Sequence, residues 1–110
     1  MKYNSLKVGA QTYNLEVFDR DFADDSRRWG DTDPSHNKIR ICKDLPHTAF
    51  AEVLVHELCH AVLYDAGMPW VGPDVEDAIG KVSPRIAAFL RDNPKFVKHL
   101  VDVFVNEIKP

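Results

Sequence analysis

Near the middle of this 110-residue chain, His56-Glu57-Leu58-Cys59-His60 falls inside a stretch that reads as one long helix, from about residue 49 to residue 66. Thr48 is suited to cap its start and Glu52 sits favourably in its early turns. Gly67 is a C-terminal stop, with Pro69 beyond it. Phe50, Leu54, Leu58, Ala61 and Val62 cover one side, while Val53 and Leu63 flank the histidines. A helix that is apolar all round is a buried one, so a central, enclosed helix is expected. At 3.6 residues per turn, two histidines four apart point the same way and can bind one metal ion together. A glutamate beside the first can reach a water on that ion. This is the geometry of a zinc-activated hydrolytic centre.

The alternative is that His56 and His60 are ordinary core histidines. On an enclosed helix that alternative is costly, because two imidazoles and a carboxylate would be desolvated together and each would need a partner. One Zn²⁺ satisfies both imidazoles. A catalytic zinc site takes three protein ligands. The extended metzincin pattern would need glycine at Leu63 and histidine at Ala66, so it does not apply. The third ligand must come from Glu76, Asp77, Asp74, Asp65 or His99. Glu76 borders the apolar stripe of the next helix and is preferred; His99 and Asp77 follow. In this reading His56, His60 and Glu76 are metal ligands and Glu57 is the base that takes the water proton. Each histidine needs a partner to orient its ring. Tyr64, His36 and His47 are the polar candidates for stabilising an oxyanion. Cys59 reads as a small core residue rather than a ligand.

Residues 1–47 read as strand and loop. Tyr13, Leu15 and Val17 alternate as in a half-buried strand, and Gly9-Ala10 can turn a hairpin into it. Residues 19–28 are polar and read as loop or a short helical turn; Trp29-Gly30-Asp31-Thr32 reads as a short strand and residues 33–38 as a turn. In Lys38-Ile39-Arg40-Ile41-Cys42 the isoleucines face inward, and Lys38, Arg40 and Lys43 suit a strand at or near a sheet edge. An extended peptide could add to that edge and lie across the metal.

After the loop Met68-Pro69-Trp70-Val71-Gly72-Pro73, Asp74 can cap a second helix. Its stripe is Val75, Ile79, Val82, Ile86 and Phe89 or Leu90, and Pro84 predicts a kink or a break. Asn93-Pro94 reads as an N-cap with proline at the first helical position. The last helix, about residues 94–108, would bury Phe96 or Val97, Leu100, Phe104 and Ile108. The expected fold is therefore α+β: one domain over residues 1–110, a small N-terminal antiparallel or mixed sheet packed on the buried helix, and two or three further helices.

Composition narrows the function classes. The formal charge is −3 and there is no basic run, which argues against nucleic acid. No apolar run reaches the roughly 20 residues needed to span a membrane. No signal-peptide core follows Met1, so a cytoplasmic protein with Cys42 and Cys59 as reduced thiols is expected.

The order of these features covers most of the chain: a short β region, an Ile-x-Ile strand, His56 to Gly67 as HELCHAVLYDAG, a glutamate-bearing helix and a final Asp-Asn-Pro helix. It resembles the small zincin-like metallopeptidases of bacteriophages and prophages. More distantly it is similar to metallopeptidase domains of the prophage-regulatory and stress-response type. The resemblance implies a minimal gluzincin-like fold and Zn²⁺. It also implies His56 and His60 as ligands, Glu57 as catalytic base, and a third ligand from a glutamate on the following helix, where Glu76 stands. Two functions follow as expectations. One is a zinc-dependent peptidase acting on a protein or peptide; the other is a zinc-stabilised binding or regulatory module of phage origin without proteolytic activity.

Overall fold

The computed structural model describes residues 4–19 and 29–108. Strand β1 (Ser5–Val8) and strand β2 (Gln11–Phe18) form an antiparallel hairpin in which Val8 faces Gln11. Gly9-Ala10 makes the two-residue turn, as expected. Gly9 has φ 59°, and a Cβ there would meet the Asp65 carboxylate at 2.0 Å, so glycine is required twice over. Residues 20–28, read as loop or a helical turn, lie outside the described residues.

Strand β3 (Gly30–Asp33) runs into a 3-10 turn at Pro34–His36 and then into strand β4 (Lys38–Cys42). Asp33 caps the turn by accepting from the His36 amide at 3.3 Å, and Asn37 leaves it in the left-handed region. The sheet order is β1-β2-β4-β3, with β2 and β4 parallel and the two outer pairs antiparallel. The fold is α+β with a mixed sheet.

β4 lies next to the sheet edge rather than at it: β2 pairs with it on one side and the edge strand β3 on the other. Its charged residues have a different cause. One face of the sheet is left to solvent, and there Lys38 pairs with Glu16 at 3.8 Å and Arg40 with Asp31 at 2.5 Å. The opposite face carries Tyr13, Leu15, Ile39 and Ile41, all buried, against Ala61 of helix α1 (His47–Asp65). Phe50, Val53, Leu54 and Leu58 of α1 complete this core. Each fully buried aliphatic side chain contributes roughly 1.5–3 kcal/mol. Val17, expected with Tyr13 and Leu15, is exposed near the strand's end.

α1 starts two residues earlier than expected. Pro46 is the N-cap, its carbonyl accepts from the Phe50 amide at 2.8 Å, and Thr48 lies within the first turn. Its end follows expectation: with Gly67 at φ 72°, the Gly67 amide bonds Tyr64 O and the Met68 amide bonds Leu63 O, both at 3.0 Å. The helix is not enclosed on all sides. The sheet covers one flank and helix α2 (Pro73–Asp92) another, while Val62 and Tyr64 remain exposed.

Gly72, at φ 117°, precedes α2, with Pro73 at its first position; Asp74 and Glu76 occupy the first turn, so Asp74 is not the cap. α2 continues through Pro84 without a break. Pro84 and Gly80, whose carbonyl loses its helical donor, are both exposed, so solvent can replace that bond. Asn93 separates α2 from helix α3 (Pro94–Ile108), and its carbonyl accepts from Val97 at 3.0 Å. α3 does not bury most of the face expected of it: Val97 is half-buried, but Phe96, Leu100 and Phe104 are exposed, and the Ile108 side chain lies outside the described part. α3 extends past α1 and the sheet and packs only lightly on α2, so nothing among the described residues covers that face.

Candidate metal centre

The histidines lie where α1 meets α2. Their rings stand 5.2 Å apart, centroid to centroid. His60 is held on its far nitrogen: Nδ1 donates to the Trp70 carbonyl at 2.5 Å. Trp70 is fixed in turn by an edge contact with Tyr64 at 5.6 Å. His56 Nδ1 lies 3.4 Å from the hydroxyl of Ser83, a buried residue on α2. Both Nε2 atoms therefore turn the same way, and the Glu76 carboxylate lies in front of them. Glu76 Oε1 is 2.7 Å from His56 Nε2 and Oε2 is 3.0 Å from His60 Nε2.

Glu57 is almost fully buried beside them, at 6% exposure. Thr32 Oγ1 donates to Glu57 Oε1 at 2.8 Å and lies 3.0 Å from the Glu57 carbonyl. Burial pushes the Glu57 carboxyl above its ordinary value, against the opposing pull of the Thr32 hydroxyl and of His60 and His56. Cys59 is half-buried; burial, with a smaller contribution from Glu57, raises its thiol. Cys42 is fully buried, and both thiols are free.

The donor set suits a cation. With the Nδ1 proton of His60 spent on Trp70 O, neutral His60 presents a lone pair at Nε2 to a carboxylate oxygen 3.0 Å away. Two acceptors at that distance need a proton or a metal ion between them. Two ligands of a tetrahedral Zn²⁺, each about 2.0–2.1 Å from it, sit roughly 3.3 Å apart. The present contacts are slightly shorter, and the Glu76 side chain, 59% exposed, has room to withdraw. A Glu57 oxygen and one ring nitrogen of each histidine also lie within 4.8 Å of one another, so Glu57 is the competing third donor. Its engagement by Thr32 and the direct contact of Glu76 with both Nε2 atoms favour Glu76.

The other candidate residues are elsewhere. Asp65 accepts from the Ala10 amide at 3.1 Å and Asp77 pairs with Lys81 at 3.1 Å. Asp74 is exposed in the first turn of α2, and His99 is exposed on α3. His36 pairs with Asp33 at 2.7 Å, His47 is exposed at the start of α1, and Tyr64 packs on Trp70. None of the three lines the clefts at the site.

Two clefts meet here. One, of about 440 Å³, runs between β3 and the α1–α2 loop past Asp31, Thr32, His60 and Trp70. The other, of about 480 Å³, runs between α1 and α2 past Trp29, Val53, His56 and Ser83. Gly30, Glu57 and Glu76 line both. Sequence reasoning missed Thr32 and Ser83. Ser83 was findable, because it stands seven residues after Glu76 on the same helical face. Thr32 was not, because its contact depends on how β3 meets α1. Comparison with protein-family models, with curated proteins and with solved structures finds no match to this chain.

Proposed function

We propose that this chain is a zinc-dependent peptidase, with His56, His60 and Glu76 as metal ligands and Glu57 as general base. The observation that carries the reading is the convergence of both Nε2 atoms on Glu76 where two clefts join, with the buried Glu57 alongside. Zn²⁺ held there supplies Lewis acidity to a water and to a substrate carbonyl, and a His/His/carboxylate set suits that ion.

The chain's own residues do the rest. Glu57 accepts the water proton as the peptide carbonyl is attacked, then delivers it to the leaving amine. Thr32 holds one Glu57 oxygen and leaves the other available. Trp70 O and Ser83 Oγ keep each ring turned with Nε2 forward. The paired clefts give an extended peptide room on both sides of the scissile bond. Peptide addition to β4, considered from the sequence, is blocked by β3. The outer edge of β3 takes that role instead, since Gly30, Asp31 and Thr32 line the first cleft.

The test pairs two variants. Glu57→Gln should retain stoichiometric zinc and lose cleavage of a peptide or protein substrate by at least about a hundredfold. Cleavage undiminished in that variant would sink the base assignment, and with it peptide hydrolysis at this centre; absence of any cleavage by the wild type, with zinc bound, would leave the zinc-stabilised binding module as the reading. Glu76→Ala should weaken zinc binding by more than about tenfold in a chelator competition. Unchanged affinity refutes Glu76 as a ligand.

A further inference from the structure

The arm formed by the C-terminal half of α2 and by α3 presents an apolar surface that the chain itself does not cover. Val82, Ile86, Phe89 and Leu90 of α2, with Phe96, Leu100, Val101, Val103, Phe104 and Val105 of α3, are each 39–59% exposed. Phe89 and Phe96 meet edge to face at 6.4 Å, so the two halves form one patch. At 100° per residue the apolar residues of α3 lie over an arc of about 200°, interrupted in sequence by Glu107 near its end, and Lys95, Lys98, His99, Asp102 and Asn106 fall as a polar stripe on the remaining side.

These ten residues expose on the order of 900 Å², about a tenth of the 8173 Å² surface. That exceeds the few hundred Å² of an ordinary monomer's largest patch, and it matches the roughly 800 Å² that each partner contributes to a stable interface. We propose that this arm is a homodimer interface, occupied by the same arm of a second copy of the chain.

The surface is complementary to itself. Phe96, Leu100 and Phe104 form a ladder at intervals of four. Two α3 helices crossing antiparallel about a two-fold axis at Leu100 set Phe96 of each copy against Phe104 of the other. The polar stripe then stays outward. A membrane surface is a poorer fit: that stripe carries Asp102, paired with Lys98 at 3.9 Å, rather than the lysine- and arginine-rich face of an interfacial helix. No helix among the described residues is long and apolar enough to cross a membrane.

The proposal does not depend on the metal reading, and its test is run with and without zinc. In sedimentation equilibrium at micromolar concentrations, the wild-type chain should have twice its 12.5 kDa mass in both conditions. Phe96→Glu and Phe104→Glu alter side chains exposed in the single chain, so they should keep the wild-type helical circular dichroism. Each should weaken association by at least about thirtyfold. Val62→Glu, at an exposed apolar position on α1, should remain dimeric. A wild type that sediments as a single chain overturns the proposal, because the patch would then await another protein or a lipid surface. Variants that remain dimers overturn it too, because the contact would then lie elsewhere.

Discussion

Thr32 decides the state of Glu57 more than any other single side chain. The Glu57 carboxyl is raised first by burial, and the Thr32 hydroxyl is the largest influence opposing that rise. Thr32→Val keeps the shape and deletes the donor, leaving a buried carboxylate oxygen without its partner. In the zinc-free protein the folded-state value should then rise further. A carboxyl raised in this way contributes stability that is complete when it is protonated and that falls as pH climbs through the folded value. Relative to wild type, Thr32→Val should therefore cost roughly 1–3 kcal/mol at neutral pH. It should cost clearly less near pH 4, around the ordinary carboxyl value. Urea midpoints of both proteins at the two pH values measure this, and an equal penalty at both would refute the role given to Thr32. The histidines and Glu57 were legible as residues because their spacing is a property of one helix. Thr32 was not, since a hydroxyl on a short strand says nothing of what it will meet.

At the scale of elements, β3 reaches α1 only because Gly30 has no side chain. A Cβ at that position would lie 2.9 Å from the Arg40 carbonyl, 2.9 Å from Val53 Cγ1 and 3.2 Å from Glu57 Cγ. The side chains could shift, but the Arg40 carbonyl belongs to the β3–β4 ladder and cannot move cheaply. Gly30→Ala should thus push β3 off α1, costing about 1–3 kcal/mol in chemical denaturation. It should also loosen the Thr32–Glu57 contact, visible as faster amide exchange in β3. An unchanged denaturation midpoint would show that the strand accommodates a methyl group. The strands themselves were readable: Ile39 and Ile41 alternate with polar residues, and Gly9-Ala10 marks the hairpin. Their order in the sheet was not. Lys38 and Arg40 look alike on an edge strand and on the solvent face of a one-sided sheet, and only the partners Glu16 and Asp31 distinguish the two. The amphipathic stripes of α2 and α3 likewise showed that each helix needs cover, and they located the cover for Ile79 but not for Phe104.

Across the whole molecule, the candidate centre is the polar tie between the helix that rests on the sheet and the helix that leads to the arm. His56 and His60 come from α1 and Glu76 from α2, so an ion shared among them couples the two elements that the unfolded chain keeps apart. A ligand that binds only the folded state stabilises it by RT ln(1 + [L]/Kd), about 2.7 kcal/mol at a hundredfold excess over Kd. For a chain of this length that corresponds to a rise in melting temperature on the order of 10 °C. Calorimetry with added zinc, against a chelator-treated control, should show this rise in the wild type and in Glu57→Gln, which keeps all three donors. Glu76→Ala should lose most of it, because the remaining pair lies within α1 and ties nothing to α2. Phe104→Glu should keep the zinc-induced rise while starting from a lower, less concentration-dependent melting temperature, since it removes the contact between copies and not the contact between helices. A wild type that zinc leaves unmoved would remove the metal from the site. A full rise in Glu76→Ala would move the third donor to Glu57, and with it the base would have to be sought elsewhere.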